Sequence, residues 1–155
     1  MANPDDLPRL AAAFAASRYR VPALGAIGRL HVGVAAPVLE AVLPARRYAF
    51  LTAWDSDSQR DTRIDNDRAD GELVAELERL RVTHLRAQAQ DDEGRHQEDG
   101  WLVCDLPLDA LDELARRFAQ DGVLAWAAGE PVRLRLYHPA PDDDAARMPF
   151  IDWVG

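Results

Sequence analysis

The chain has 155 residues, of which 48% are hydrophobic and 29% charged, and its formal net charge is −9. This length and composition predict one globular domain whose core is large enough to fold without a metal or a disulfide. The acidic balance argues against nucleic acid and anionic membranes as partners, and because all 18 basic residues are arginine, a lysine Schiff base and a P-loop lysine are excluded.

The features that report on compartment and on bound metals point to a cytoplasmic protein without a cofactor. The single cysteine, Cys104, cannot form a disulfide within the chain, and its apolar surroundings predict a core position. The polar, acidic N-terminus is not typical of a secretion signal, and no apolar run approaches the ~20 residues of a membrane span. The four histidines are scattered without metal-ligand spacing, so we expect no metal site.

The N-terminal part of the chain predicts a helix, a β-hairpin and a short second helix. Leu7, Leu10 and Phe14 recur at helical spacing, with aspartates before them to cap the helix and Pro8 in its first turn. These elements cover residues 5–17 (helix), 19–34 (hairpin with a glycine-bearing connection) and 37–44 (helix bounded by prolines).

The chain is organised around Tyr48–Trp54, an apolar strand-like run that changes abruptly into the polar and acidic segment 55–65. A buried strand that ends in short polar side chains is a common place for a site in α/β and α+β proteins. A third helix follows over residues 66–80, with Leu73 and Leu77 on its apolar face.

The rest of the chain predicts a second hairpin, a fourth helix, two closing strands and a tail. Gly122 follows the fourth helix at the position of a left-handed C-cap. The elements are strands over 82–88 and 101–105, a helix over 108–120, strands over 122–127 and 132–137, and a tail over 139–155 that is either docked or loose.

From Tyr48 to Ala127 the predicted order is strand, helix, strand, strand, helix, strand. This order is typical of a split β-α-β, ferredoxin-like core, so we expect an α+β fold with a mostly antiparallel sheet and helices on one side. The N-terminal helix and hairpin extend the core, which gives a single domain over residues 1–138 and a C-terminal tail over residues 139–155.

Four short motifs carry a family resemblance: Ser17–Val21 (SRYRV), Phe50–Ser58 (FLTAWDSDS), Asn66 at a helix start, and Phe118-Ala-Gln120. Together they resemble a bacterial family called domain of unknown function 3293, in which the strand ends in Thr-Ala-(Trp/Tyr)-Asn-Pro-x-Ser and the motifs Glu-Asn and Phe-Gly-Gln follow. This chain differs at three points: Asp55-Ser56 stands in place of Asn-Pro, Asp65 in place of Glu, and Ala119 in place of Gly. The resemblance implies an uncharacterised small protein without an established activity.

Polar residues around the end of the central strand are the candidate site. We expect a hydrogen-bonding cluster that binds a small polar ligand, with members Thr52, Asp55, Ser58 and Asn66, joined by Glu98 and Gln120 if the fold brings those ends together. In the alternative interpretation, Asn66 or Asp65 caps the third helix and Gln120 caps the fourth.

Three classes of function follow from these patterns. The sequence favours a non-enzymatic ligand-binding or protein-interaction domain, which could form a homo-oligomer through a sheet edge or the tail. The second class is a small hydrolase or transferase that uses Asp55 with Ser58 or Thr52; the spacing of Asp55 and Asp57 matches haloacid-dehalogenase phosphatases, but their lysine is missing. The third, an RNA-binding module, is disfavoured by the acidic balance.

Overall fold

The computed structural model describes residues 6–54 and 63–155. In this part of the chain the helices are α1 (Leu7–Ala16), α2 (Pro37–Val42), α3 (Arg63–Arg79) and α4 (Leu108–Arg117). The strands are β1 (Arg18–Arg20), β2 (Arg29–Leu30), β3 (Arg47–Leu51), β4 (His84–Gln90), β5 (Gln97–Cys104), β6 (Gly122–Ala127), β7 (Leu134–Leu136) and β8 (Ile151–Trp153). Short 3₁₀ helices span Pro22–Gly28 and Asp144–Arg147. The fold is therefore α+β, as predicted.

The described strands form one sheet with the order β2-β1-β4-β5-β3-β6-β7-β8. Neighbours are antiparallel except β7 and β8, which run parallel. The prediction of a mostly antiparallel sheet is thus confirmed. β3 lies between β5 and β6, and Phe50 stands opposite Leu102 on one side and Leu124 on the other. The apolar stretch is therefore an inner strand, but it ends at Leu51 and not at Trp54 as predicted.

Helices cover both faces of this sheet, so the prediction that they lie on one side is wrong. Tyr48 and Phe50 of β3 belong to the apolar cluster that contains residues of α1 and α2, whereas Ala49 and Leu51 belong to the cluster beneath α3 and α4. A strand whose two faces are both apolar needs cover on both faces. The sequence of β3 carries this signal, because residues 48–51 are hydrophobic without alternation.

The sheet curls, which brings its two edges towards a common core. Leu30 of β2 and Ile151 of β8, at opposite ends of the strand order, lie in the same apolar cluster as Ala11 of α1. Beyond β2, Ala35 forms an isolated antiparallel bridge with Pro131, just before β7. The α1 side is therefore the concave side of the sheet.

The ends of the elements differ from expectation at several points. The structure begins α3 at Arg63 and β5 at Gln97, each earlier than the sequence pattern suggests. Asp6 stands at the N-cap of α1, but its backbone is already helical (φ −95°, ψ −6°), and its side chain makes no capping hydrogen bond with the described part of the chain. A capping residue needs a non-helical backbone, so the predicted aspartate cap does not form at this residue.

The left-handed cap of α4 is Ala119, with φ 54°, so its predicted placement at Gly122 is wrong. The Ala119 N–H donates to Arg116 O (3.1 Å) and the Gln120 N–H donates to Ala115 O (2.8 Å), which is the hydrogen-bond pair of a Schellman motif. Gly122 instead opens β6, where an added Cβ would lie 2.8 Å from a methyl carbon of Leu136.

Across the described ranges, the helices fall short of the length and apolar character that crossing a bilayer requires.

Candidate functional site

A cavity of about 210 Å³, here called the α1 cavity, lies between α1 and the concave side of the sheet. Its apolar lining comes from α1, β1, β3 and β6, and the main contributors are Leu10, Phe14, Tyr19, Phe50 and Leu124. The rings of Tyr19 and Phe50 meet edge to face at 5.4 Å. The volume is below the ~300–1,000 Å³ of pockets for drug-sized molecules, so a matching ligand must be small.

Three hydroxyl groups line the α1 cavity, and each donates its proton to a backbone carbonyl. The pairs are Ser17 Oγ to Ala13 O (2.7 Å), Tyr19 Oη to Phe14 O (2.8 Å) and Thr52 Oγ1 to Asp99 O (2.7 Å). A nucleophilic hydroxyl needs a general base as its acceptor, and a backbone carbonyl cannot take the proton. These hydroxyls therefore shape the lining and are not activated for attack.

Thr52 ties the end of β3 to the strand beside it. It is only 5% exposed, and besides donating to Asp99 O its Oγ1 accepts the Trp54 N–H at 3.0 Å. One side chain therefore satisfies two backbone groups where the β3 ladder ends. This arrangement holds the chain against β5 at the edge of the cavity.

Gln120 joins the end of β3 to the C-terminus of α4. Its Nε2 donates to Trp54 O (3.0 Å) and to Phe118 O (3.1 Å). Both acceptors are carbonyl oxygens, which fixes the amide nitrogen on that side. The Oε1 atom of Gln120 accepts no hydrogen bond from the described residues, so it remains an acceptor on the cavity lining. The left-handed turn at Ala119 sets this orientation.

The charged groups of the α1 cavity give it an acidic character. Glu98 and Asp91 line it together with His96, and the described lining includes no arginine. Partial burial alone would raise the pKa of Asp91, but the N–H groups of Arg95 and His96 bond its carboxylate and lower the pKa below its ordinary value. The Arg95 N–H lies 2.7 Å from Asp91 Oδ1. Asp91 is therefore ionised and stabilises its own turn.

Tyr19 is neutral despite its polar neighbours. Burial raises its pKa well above the ordinary value, the Ser17 hydrogen bond opposes that shift, and the negative charge of Glu98 adds to it. Glu98 and Tyr19 both line the cavity. The cavity thus combines an apolar wall with the carboxylates of Asp91 and Glu98, of which Glu98 has a further partner.

The six residues proposed from the sequence fall into three groups. Thr52, Glu98 and Gln120 line the α1 cavity, although they come from β3, β5 and the end of α4. Asn66 lies in α3 and is not part of the lining. Asp55 and Ser58 lie outside the described residues, as does the Asp55–Asp57 spacing behind the phosphatase interpretation.

Sequence reasoning missed the contribution of α1 and β1 to the cavity. Phe14 has an ordinary place on an amphipathic helix, and only the fold brings it close to residues more than 80 positions away. The sequence gives one indication that Tyr19 is important, because it lies in the SRYRV stretch at residues 17–21 that carries part of the family resemblance.

Metal ligands and reactive thiols do not assemble in the part of the chain described. No group of three or more His, Cys, Asp or Glu side chains there could hold a metal ion. Cys104 is buried, as predicted, and burial raises the pKa of its thiol to about 11. A thiol with that pKa is a poor nucleophile at neutral pH.

Comparison with known proteins identifies a family but no characterised relative. The family described as "Protein of unknown function (DUF3293)" matches residues 51–123. The matched segment includes α3, β4, β5 and α4, and with them Thr52, Glu98 and Gln120 of the α1 cavity. Neither a curated protein nor a solved structure shows significant similarity to the chain.

Proposed function

We propose that this chain, whose residues 51–123 belong to the DUF3293 family, binds a small molecule that carries a protonated amine on a compact apolar body. The α1 cavity is the binding site. The observation that carries the proposal is the composition of the lining, in which aromatic rings stand beside Glu98 and the described residues contribute no arginine. The sequence predicts a small polar ligand, and the proposal restricts this class of ligand to cations.

The apolar part of the lining suits a compact ring or a short hydrocarbon chain. Phe14, Tyr19 and Phe50 present aromatic surface, and Leu10 and Leu124 extend it. Each CH₂ group that leaves water for such a surface contributes about 0.8 kcal/mol. A cavity of about 210 Å³ restricts the contribution to a few such groups.

The polar part of the lining suits a group that donates hydrogen bonds. A protonated amine has three donors and no acceptor. Glu98 already has a partner, but a carboxylate has about four acceptor sites and can accept from an amine as well. Oε1 of Gln120 supplies a neutral acceptor. A charge-assisted hydrogen bond contributes about 1.5–3 kcal/mol. Together with about three buried CH₂ groups, this gives a gross gain of about 4–5.5 kcal/mol. The loss of ligand freedom offsets part of it, so we expect an amine of eight non-hydrogen atoms to bind weakly, with a dissociation constant of about 1 mM or more.

The hydroxyl groups of the cavity support binding in preference to catalysis. Ser17, Tyr19 and Thr52 all direct their protons to backbone carbonyls. The competing proposal, a hydrolase or transferase that uses Asp55, depends on a residue outside the described ranges. Turnover of phosphate or carboxylate esters that is lost in Asp55→Ala would favour that second function.

The strand order supports a finer description of the fold as well. Within the sheet, β4-β5-β3-β6 are consecutive, and β5 and β6 run in the same direction on either side of β3 with α4 connecting them. We infer that these strands with α3 and α4 form the split β-α-β core, to which the N-terminal elements add a concave side and a cavity.

The experiment compares two probes of one shape and opposite charge. Benzylamine and benzoate are each titrated into the protein by isothermal titration calorimetry at low ionic strength. We expect benzylamine to bind and benzoate not to bind. Glu98→Gln should weaken benzylamine binding at least tenfold, because it removes the charge and keeps the shape.

Glu130→Gln is the matched control, because Glu130 is exposed on the turn between β6 and β7 and its replacement changes the net charge equally. Equal weakening by the two variants would show a general charge effect and would contradict the proposed site. Binding of benzoate in preference to benzylamine would also contradict it.

A further inference from the structure

A second concave region lies on the N-terminal hairpin, and its charge is opposite to that of the α1 cavity. It has a volume of about 390 Å³ and is lined by Arg18, Tyr19, Arg20, Arg29, His31 and Gln90. Aspartate and glutamate are absent from its described lining. We propose that this arginine pocket binds a small molecule that carries a phosphate or diphosphate group.

The strand register places like charges directly opposite each other. Tyr19 pairs with Leu30, and Arg20 pairs with Arg29, in the antiparallel ladder of β1 and β2. Tyr19 and Leu30 point into the concave core, so Arg20 and Arg29 share the other face of the sheet. Like charges at opposed positions destabilise a sheet. An anion bound between the two guanidinium groups would turn this repulsion into attraction.

The arginines of this pocket differ from those on β4 and around β7, although Arg47 of β3 also forms no ion pair with the described residues. Arg86 on β4, Arg135 on β7 and Arg133 just before β7 are each held by a carboxylate. The pairs are Arg86–Asp70 (2.9 Å), Arg133–Asp152 (2.9 Å) and Arg135–Asp112 (2.7 Å). Within residues 6–54 and 63–155, Arg18, Arg20 and Arg29 form no ion pair. The positive charges on β4 and around β7 are thus neutralised. The positive charges on the hairpin of β1 and β2 have no counter-charge from the described residues.

One arginine of the pocket is oriented by a neutral partner. Nε of Arg20 donates to Oε1 of Gln88 at 2.8 Å, and Gln88 stands opposite Arg20 on β4. This hydrogen bond fixes the guanidinium without cancelling its charge. A guanidinium has five N–H donors, so its terminal nitrogens remain available for bidentate binding of a phosphate.

The pocket suits a small phosphate compound better than a nucleic acid. The overall charge of −9 repels a long polyanion, whereas a short anion responds chiefly to the local cluster. Among phenylalanine, tyrosine and tryptophan, only Tyr19 is in the described lining, and at 4% exposure it cannot stack on a base. The volume of about 390 Å³ leaves room for an ester or a diphosphate.

The test measures pyrophosphate binding by isothermal titration calorimetry in 20 mM and in 150 mM sodium chloride. Arg20→Gln and Arg29→Gln are compared with Arg68→Gln, a control on the exposed surface of α3 that removes the same charge. We expect pyrophosphate to bind, binding to weaken as salt rises, and the two pocket variants to lose at least tenfold in affinity while the control changes less than twofold.

Thermal unfolding without ligand provides a second readout. Arg29→Gln relieves the repulsion between opposed arginines, so we expect its melting temperature to equal or exceed that of the parent protein while its affinity falls. A purely structural role of Arg29 would lower both. Glu98→Gln, which weakens amine binding in the α1 cavity, should leave pyrophosphate affinity unchanged, so the two proposals can fail separately.

Three results would overturn the proposal. One is absence of pyrophosphate binding in 20 mM salt, and another is equal weakening by the pocket variants and Arg68→Gln. The third is a single-stranded oligonucleotide that displaces pyrophosphate and binds more tightly, which would show that the surface recognises nucleic acid.

Discussion

Replacing Ala119 by glycine should stabilise the protein, although glycine usually weakens a chain. Ala119 is the left-handed residue of the Schellman motif that ends α4, with φ 54°. An L-residue in this conformation costs roughly 1–2 kcal/mol relative to glycine. Glycine loses more freedom on folding, which offsets about 0.4–1 kcal/mol. We therefore expect Ala119→Gly to raise the free energy of unfolding by about 0.5–1 kcal/mol, or the melting temperature by about 1–4 °C for a chain of this size.

The measurement is thermal and urea unfolding of Ala119→Gly beside Ala75→Gly. Ala75 is exposed within α3, where glycine should destabilise by about 1 kcal/mol. The two variants make the same chemical change and should shift stability in opposite directions. Equal destabilisation by both would refute the assignment of the left-handed cap. The same reasoning explains why glycine stands at this position in the related Phe-Gly-Gln motif.

Two further predictions concern the core and an ion pair. Gly100→Ala should destabilise the fold by about 1–3 kcal/mol because the new Cβ would lie 2.5 Å from Leu51 O. Gly71→Ala, where no atom lies near the added Cβ, should stabilise it by about 0.5–1 kcal/mol. If urea unfolding shows the same shift for both variants, the close contact at Gly100 is contradicted. Burial alone would raise the pKa of Asp112, but hydrogen bonds from Arg135 and a neighbouring tyrosine lower it below its ordinary 3.8. Asp112 therefore stabilises the fold above that pH and loses its contribution as pH falls through the lowered value. We expect Asp112→Asn to lower the free energy of unfolding by about 2–3 kcal/mol at neutral pH and by less below pH ~3. Urea unfolding measures this difference between variant and parent, and a difference that stays constant down to that pH would contradict the Asp112–Arg135 ion pair.

The sequence predicts the local elements well because local signals determine them. Residues 48–51 are apolar without alternation, and they lie in the inner strand β3 with Leu51 1% exposed. Leu73 and Leu77 recur at helical spacing, and both are fully buried beneath α3. In each case the information lies within a few residues of the element that it specifies.

The errors arise where distant packing overrides local preference. Gly122 has the residue type of a left-handed cap, but it is glycine because Leu136 packs against it from β7. Ala119 takes the left-handed position against its own preference. β5 begins at Gln97, among polar residues that favour a loop, because Gln97 pairs with Gln90 in the ladder with β4.

The sequence predicts only part of the candidate site, because the rest depends on packing between distant elements. Thr52 and Gln120 are candidates because they lie near the ends of predicted elements, and both line the α1 cavity. That α1 covers the concave side follows only from the curl of the sheet, which no local pattern specifies. The sequence carries a local signal for the arginine pocket, since Arg18 and Arg20 alternate with Tyr19, and Arg29 and His31 alternate with Leu30.

The most direct test of the proposed function is a map of where an amine binds. Benzylamine is titrated into ¹⁵N-labelled protein, and amide shifts are followed by two-dimensional NMR. The account predicts that the Gln120 side-chain amide and the backbone amides of Glu98 and Ala89 shift together and saturate with one dissociation constant, while those around Arg68 do not move. Shifts spread over the acidic surface without saturation, or confined to residues outside the α1 cavity, would contradict it.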